Sequence, residues 1–402
     1  MSFFVKASQG SRHAATVRAC LATLVVVCSV ACGPRETRLG LVLPTDEPDA
    51  GVTLKAAAPV GPLALDRCQA AVYPNLPLFV CQGASSPPEF QCVVAVRPDG
   101  GVAVLRQLPL SGTRTVQRLH GVTGGGVVAE VVDSSAGPRV LESFPYPAPG
   151  SATSLASGPA TTRWSGLALA ATSVDLVTCE AGRCALQELP LDGGAAVELA
   201  NETQSAATTA IERNTAGVRA WADDAGVATW FPTQGLRRTE AVAVSRVALA
   251  TDGAVFFLEG TTLTRVNGAG ARVEVAQGLD GPHALFLVGG FVVVVERRAV
   301  RAFPQAGGAP LALYALPAGD TSTLANARLV GGRLVFDQRC GILGPTALSG
   351  RVEFDPTLGQ ARWLNEDPAW PYLPGAPGGA SRVAPELREV LVVDGVLIGV
   401  VE

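Results

Sequence analysis

The chain has 402 residues, a formal net charge of −4 and 16% charged residues, with 45 glycines and 29 prolines. This composition favours short strands joined by tight turns, and the acidic balance excludes a basic surface of the kind that binds nucleic acid. Because closed all-β repeat folds grow by adding units, a chain of this length can still form one main domain.

The N-terminal residues have the pattern of a signal peptide. Residues 1–18 carry Lys6, Arg12 and Arg18 without an acid, and residues 19–31 form an apolar run that ends in small residues. The run is shorter than the roughly 20 residues that cross a bilayer. We therefore predict a signal peptide over residues 1–31, whose removal takes three bases from 31 and leaves 28 basic and 35 acidic residues, net −7.

The end of this run, Ser29-Val30-Ala31-Cys32, resembles the lipobox of bacterial lipoproteins, with Ser29 in place of the usual Leu. The resemblance implies that Cys32 is acylated and attaches the protein to a membrane, where several acyl chains hold firmly. With Gly33 rather than Asp after the cysteine, it also implies an outer-membrane lipoprotein, facing the periplasm or the cell surface. The alternative is ordinary cleavage near Ala31, which gives a secreted soluble protein.

Residues 32–61 mix Pro, Gly and charged residues without sustained alternation. This pattern predicts a lipidated N-terminus followed by a flexible tether. Strand patterns recur from about residue 62 onward, so we assign residues 62–402 to the folded domain.

The stretch Ser245–Gly278 reads as four short strands. Asp252-Gly253 closes one hairpin and Gly268-Ala269-Gly270 another, since such residues favour positive φ. The next stretch repeats the pattern, with Phe291–Glu296 aligned on Ala254–Glu259. A period of about 40 residues with four strands per unit is typical of a β-propeller.

We predict an all-β propeller of about seven blades, with six or eight blades as alternatives. Apolar runs such as Phe291–Val295 suit strands buried on both faces. A many-stranded β-sandwich is the competing fold, and the internal period argues against it. The predicted units are 62–112, 114–160, 163–203, 205–241, 243–279, 281–319 and 321–364.

Two features follow the last unit. Residues 367–380 are rich in Pro and Gly and predict a long loop, in which Trp370 and Tyr372 are candidate ligand-binding residues or simply pin the loop to the domain. Leu387–Val401 predicts a hairpin around Asp394-Gly395. We expect this hairpin to close the ring by pairing with an N-terminal blade, since closure removes exposed edges.

Six of the nine cysteines remain after Cys20, Cys28 and Cys32 are set aside. An even number in an exported chain predicts disulfides rather than a metal site, because zinc-like spacing is absent. Cys179 and Cys184 lie symmetrically about a predicted hairpin turn, so we expect them to pair. By the same reasoning Cys68 pairs with Cys81, which leaves Cys92 and Cys340 by elimination.

The segment Ala222–Trp230 resembles the Asp-box of sialidases and related propellers, with matches at Asp224, Gly226, Thr229 and Trp230 and Ala222 in place of Ser or Thr. In that family the box is a structural hairpin, in which the Asp caps turn amides and the aromatic ring packs between blades. The resemblance therefore implies a propeller and no catalytic role. The Arg-Ile-Pro signature of sialidases is absent.

Motifs for catalysis, metal ions and cofactors are missing, so we predict neither a metal nor a cofactor. The anchor and the ring also resemble the propeller lipoprotein of the outer-membrane β-barrel assembly machinery, but the Trp-ending repeat of that protein is absent. We expect a monomeric, envelope-anchored, non-enzymatic binding or scaffold propeller with a protein or glycan partner. The alternatives are a component of outer-membrane protein assembly, and a hydrolase or lyase acting on an extracellular glycan or ester.

Overall fold

Strands account for all the regular secondary structure of the computed structural model, which describes residues 52–60, 90–96, 102–109, 114–123, 126–133, 137–146, 150–203, 205–330, 332–339, 349–363, 387–393 and 396–401. They belong to one compact unit, which spans Leu43–Glu402. The described strands form seven four-stranded antiparallel sheets, numbered I to VII below. This confirms the all-β prediction and its four-strand repeat.

Sheets II to VII each take four consecutive strands, in the order in which they occur in the chain. The strands of sheets II, III and IV are β3 (Arg114–Thr123), β4 (Gly126–Asp133), β5 (Arg139–Pro145), β6 (Thr153–Gly158), β7 (Arg163–Leu169), β8 (Ser173–Glu180), β9 (Arg183–Pro190), β10 (Val197–Thr203), β11 (Glu212–Arg213), β12 (Arg219–Asp223), β13 (Gly226–Phe231) and β14 (Gly235–Thr239). Those of sheets V, VI and VII are β15 (Val244–Leu249), β16 (Val255–Glu259), β17 (Thr262–Val266), β18 (Arg272–Ala276), β19 (Ala284–Val288), β20 (Phe291–Val295), β21 (Ala299–Pro304), β22 (Leu311–Ala315), β23 (Thr323–Val330), β24 (Arg333–Arg339), β25 (Ser349–Asp355) and β26 (Gln360–Trp363).

Sheet I combines the two ends of the domain. Its strand order is β2-β1-β28-β27, with β1 (Phe90–Val96), β2 (Val102–Pro109), β27 (Leu387–Val393) and β28 (Val396–Val401). Strand β1 pairs with β28 from Cys92 opposite Val401 to Val96 opposite Leu397. The predicted unit 62–112 thus supplies two strands of this sheet, and the predicted C-terminal hairpin supplies the other two.

The hydrophobic core lies between successive sheets. Six clusters of buried side chains among the described residues lie between sheets I and II, II and III, and so on to VI and VII. Strand β20 shows why its sequence is one apolar run: Val292 and Val294 pack toward sheet V, and Val293 and Val295 pack toward sheet VII. Both faces of the strand are buried, so no polar alternation appears.

The two ends of each sheet differ in which turns they carry. The hairpin end of a sheet is the end at which a turn joins its first two strands. The crossover end is the opposite end, at which the first strand begins. In sheet I the first strand by this definition is β27. First strands of neighbouring sheets contact one another, as in β27 with β3, β3 with β7, β15 with β19, and β19 with β23.

Part of the predicted tether is packed against the domain. We call residues 52–60 the strap. Leu54 is buried in the core between sheets VI and VII, and Ala57 and Val60 pack against the same core. The expectation of a flexible tether up to residue 61 therefore does not describe these residues, because apolar side chains and backbone hydrogen bonds hold them in place.

Candidate functional site

Several sequence-predicted site residues lie outside the described residues. These are Cys32, Cys68, Cys81, Cys340, Trp370 and Tyr372. The strands that flank the predicted loop 367–380 are described: β26 finishes and β27 begins at the crossover end of their sheets.

The Cys179–Cys184 disulfide is present and links the ends of β8 and β9 across a turn at the crossover end of sheet III. Cys92 is fully buried in β1 and is also disulfide-bonded. Its predicted partner Cys340 is not among the described residues. Disulfides of this kind are typical of exported proteins.

The Asp-box-like segment forms the hairpin of β12 and β13. The capping role, however, belongs to Asp223 and not to Asp224. Asp223 accepts a hydrogen bond from the backbone N of Ala225 (2.9 Å) and two from Arg238 Nη1 (3.0 and 2.9 Å), while Asp224 is exposed. The reason is geometric: Asp223 is the last paired residue of β12, opposite Gly226, and its side chain lies on the buried face.

Gly226 and Trp230 have clear structural roles in this hairpin. Gly226 has φ +125°, and a Cβ atom there would lie 2.3 Å from the carbonyl oxygen of Thr239, so no other residue fits. Trp230 packs in the core between sheets III and IV, and its Nε1 donates to the carbonyl of Leu199 at 3.0 Å. Thr229 beside it is also buried. These residues hold two sheets together.

A charged network joins sheets III and IV near their hairpin ends. Asp175 is fully buried on β8, and Arg219 of β12 donates to both of its oxygens at 3.1 and 3.2 Å. Arg213 of β11 donates to Asp175 (3.0 Å) and to Glu188 (3.2 Å), and Arg219 also donates to Glu188 (2.9 Å). Hydrogen bonds and attraction from the two guanidinium groups and from Ser173 lower the pKa of Glu188, against the effect of burial.

Other buried carboxylates are paired in the same way. Glu142 of sheet II contacts Arg106 of sheet I and Arg114 of β3, and Glu130 contacts Arg139. Glu296 of sheet VI is engaged by Arg301 and accepts the backbone N–H of Asp280. A carboxylate that is held by guanidinium and amide donors is stabilised in its charged form and serves the fold, because its lone pairs are already occupied.

The first strands of the sheets carry arginines that have no carboxylate partner among the described residues. Arg118 on β3, Arg163 on β7 and Arg246 on β15 are all exposed. Arg118 and Arg246 each directly follow a β-bulge. Bulges re-aim side chains and are frequent beside functional sites. The first strands thus present exposed guanidinium groups without a carboxylate partner, whereas the chain as a whole is acidic.

Sequence reasoning missed this set of arginines, although a local signal exists. Val116-Gln-Arg118-Leu119 and Val244-Ser-Arg246-Val247 share a Val-x-Arg-apolar pattern at the same place in two first strands. Comparing first strands with one another, instead of looking for known motifs, would have found it.

His120 lies close to Arg118 and to Glu130. Burial, and then repulsion from the Arg118 guanidinium, lower the pKa of His120 to about 4. Its Nε2 is 3.9 Å from Glu130 Oε2. Because the imidazole is neutral at pH 7, this contact is not an ion pair, and His120 is no general acid at neutral pH.

Glu212 differs from the paired carboxylates. It lies on β11, no hydrogen bond or ion pair engages its side chain among the described residues, and burial raises its pKa from 4.5 to about 7. The unfolded chain therefore loses this proton at a lower pH than the folded chain does. Stability is then lost as the pH rises from about 4.5 to about 7.

We expect Glu212→Gln to flatten this pH dependence and to raise the free energy of unfolding at pH 7.5 by roughly 1–2 kcal/mol. Urea unfolding of both proteins between pH 4 and pH 8 measures the effect, and the contribution of His120 cancels in the comparison. Glu180→Ala, which removes an exposed and unpaired carboxylate, is the control and should leave the pH profile unchanged. Parallel profiles for Glu212→Gln and the wild type would contradict the assignment.

Among the described residues no His, Cys, Asp and Glu side chains come together in a group of three that could hold a metal ion. No helix that is long and apolar enough to cross a membrane occurs among them.

No protein-family model matches the chain, and no curated protein does. An uncharacterized protein from Listeria monocytogenes is 11% identical to this chain, with a TM-score of 0.42. The aligned region covers 62% of this chain and 82% of the Listeria chain. A Lactobacillus plantarum protein is 15% identical (TM-score 0.39; 68% and 81% covered), and TolB from Acinetobacter baumannii is 12% identical (TM-score 0.32; 64% and 62% covered). Likeness at this level carries no argument about activity.

Proposed function

We propose that the chain is a seven-bladed β-propeller, closed by its C-terminal hairpin, that acts at the cell envelope as a non-enzymatic binding or scaffold protein. The seven four-stranded sheets and the cores between successive sheets support the ring. The pairing of β28 with β1 supports closure. In such a ring the first strand of each blade lines the central channel.

The observation that carries a binding function is the set of exposed arginines without a carboxylate partner on the first strands. Arg118, Arg163 and Arg246 are exposed on the first strands, where Glu212 is the one carboxylate among the described side chains; the side chain of Glu389 on β27 lies outside them. A hydrolase or lyase would need carboxylates that converge on the channel, and the other buried acids described above are held by arginines. Free guanidinium groups instead suit recognition of an anion.

We assign the partner to the class of carboxylate-bearing ligands, because the planar guanidinium group matches a carboxylate with two parallel hydrogen bonds. Arg163 begins its strand and Arg246 is the third residue of its strand, so both lie toward the crossover end. The predicted loop with Trp370 and Tyr372 is flanked by strands that meet the same end. We place the ligand-binding face there.

The test measures binding of polygalacturonate, with its methyl ester as the neutral control. The Arg163→Ala/Arg246→Ala variant should bind polygalacturonate about tenfold or more weakly, since two exposed charge pairs each contribute up to about 1 kcal/mol. Arg237→Ala, which removes an exposed arginine without a carboxylate partner from the fourth strand of sheet IV, should leave the Kd unchanged. The same Kd for the methyl ester as for polygalacturonate, or an equal loss of affinity in the double variant and the control variant, would overturn the proposal. Release of new chain ends from the polymer would instead favour the enzyme alternative.

For the location, we infer acylation at Cys32 and an outer-membrane lipoprotein. The apolar run before Cys32 supports the anchor, and the Cys179–Cys184 disulfide supports export from the reducing cytoplasm.

A further inference from the structure

The strap occupies a groove between sheets VI and VII and is held by polar and apolar contacts. The backbone N of Lys55 donates to the carbonyl of Pro356 (2.7 Å), and the backbone N of Ala57 donates to the carbonyl of Leu313 (2.8 Å). Leu54, which directly precedes Lys55, is 6% exposed. One side of the groove belongs to sheet VI and the other to sheet VII, so the strap joins the two sheets.

The direction of the strap follows from its two ends. Val52 lies against Gly289, in the turn between β19 and β20 at the hairpin end of sheet VI. The carbonyl of Val60 accepts a hydrogen bond from Nε1 of Trp363 (3.2 Å), at the crossover end of sheet VII. The chain therefore runs along the groove from the hairpin end to the crossover end.

Two glycines leave room for the strap. A Cβ atom at Gly289 would lie 2.5 Å from Cβ of Val52, and one at Gly359 would lie 2.7 Å from the carbonyl oxygen of Ala56. Gly359 has φ +68° and directly precedes β26. Gly235 is its counterpart in sheet IV, with φ +74° as the first residue of the fourth strand, but nothing lies within 4 Å of its Cβ position. Gly235 therefore provides a matched control.

The course of the strap decides where the N-terminal chain leaves the domain. Strand β1 begins at the crossover end, because Cys92 pairs with Val401 there. Without the strap, the chain that precedes β1 would leave the domain from that end. With the strap, the described chain begins with Val52 at the hairpin end, on the opposite side of the sheets.

We propose that the strap orients the domain on the membrane, with the hairpin end toward the lipid and the crossover end away from it. This inference rests on the proposed anchor at Cys32. The flexible tether that the sequence predicts over residues 33–51 would have an r.m.s. length of about 25 Å, which would keep Val52 close to the bilayer. The exposed arginines toward the crossover end then face a partner rather than the lipid.

The first arm of the test examines the strap itself, by amide hydrogen exchange in the full-length Cys32→Ser protein. The amides of Lys55 and Ala57 should be protected. Gly359→Ala should accelerate their exchange roughly tenfold or more, because the added Cβ displaces the strap. Gly235→Ala, which carries the same backbone strain without a strap beside it, should not. Unprotected amides in the wild type, or equal effects of both variants, would overturn the strap.

The second arm measures orientation in vesicles that contain the lipidated protein. Lys55 is the sole lysine after residue 31, so a Lys55→Arg background accepts one fluorophore on a new lysine. Ala269→Lys places it in an exposed turn at the hairpin end, and Arg183→Lys places it at the crossover end. Energy transfer to an acceptor on the lipid headgroups should be several-fold stronger from residue 269. Adding Gly359→Ala should reduce or reverse this difference.

Hydrogen exchange tests the strap, and energy transfer tests the orientation of the domain, so the two can fail separately. Equal transfer from both sites, or stronger transfer from residue 183, would overturn the orientation even where the strap is protected. A protein that does not associate with vesicles would refute the anchor at Cys32, and the orientation with it, while the exchange pattern of the strap would stand.

Discussion

Deleting Leu387–Glu402 should abolish the soluble monomer, because sheet I then loses two of its four strands. Ile398 and Val400 of β28 are buried with Val93 and Ala95 of β1 and with side chains of sheet II. Burial of the first two side chains alone contributes about 3–6 kcal/mol, against a typical total stability of about 5–15 kcal/mol. The deletion also exposes the backbone edge of β1, and an exposed edge promotes aggregation.

Gel filtration and limited proteolysis of the truncated chain measure this effect. Insertion of a short Gly-Ser segment between Asp394 and Gly395 is the control, since it lengthens the turn and leaves both strands in place. We expect the insertion to be tolerated and the truncated chain to aggregate or to be degraded. A monomeric truncated chain with the melting temperature of the wild type would show that the fold does not depend on the hairpin.

Turn chemistry made much of this fold predictable. Hairpin turns with Gly and Asp divided the sequence into units, and the predicted unit 163–203 has the bounds of sheet III. The unit 205–241 starts before its first strand, because β11 has only two residues and begins at Glu212. A strand of two residues is too short to show an alternation of apolar and polar side chains, so its position could not be predicted from the sequence.

The strap could not be read from the sequence for a physical reason. Its stability comes from two backbone hydrogen bonds, the hydrogen bond from Trp363 and one buried Leu, all made with residues more than two hundred positions away. Such contacts impose no period on the strap itself, and a short run of Ala and Pro is equally typical of a free tether. The same limit applies to Asp223: the resemblance selected its neighbour Asp224, and the pleat of β12 decides which carboxylate faces Arg238.

The charged network between sheets III and IV was also invisible to sequence patterns. Arg213 and Arg219 are separated from Asp175 by 38 and 44 positions. No local spacing links an arginine to an acid in the preceding repeat. Only the stacking of one sheet on the next brings them within hydrogen-bond distance, so the partners of Asp175 follow from tertiary structure alone.

Removal of the Asp175 carboxylate should be among the most destabilising single substitutions in the chain. Asp175 is fully buried, and it accepts hydrogen bonds from both Arg213 and Arg219. The Arg219 side chain is 4% exposed, so Asp175→Ala leaves two guanidinium groups with only Glu188 to neutralise them. Breaking a buried pair from one side costs about 3–5 kcal/mol.

Urea unfolding of Asp175→Ala measures this cost, and Glu180→Ala, which removes an exposed acid from the same strand, should change the free energy of unfolding by less than about 0.5 kcal/mol. A double variant, Asp175→Leu/Arg219→Met, tests the physical reason. It removes one charge of each sign and leaves Arg213 paired with Glu188 at 3.2 Å. Because apolar side chains of similar size can replace a buried ion pair at little cost, the double variant should be more stable than Asp175→Ala. If instead the two substitutions destabilise additively, the loss comes from packing and not from an unpaired buried charge.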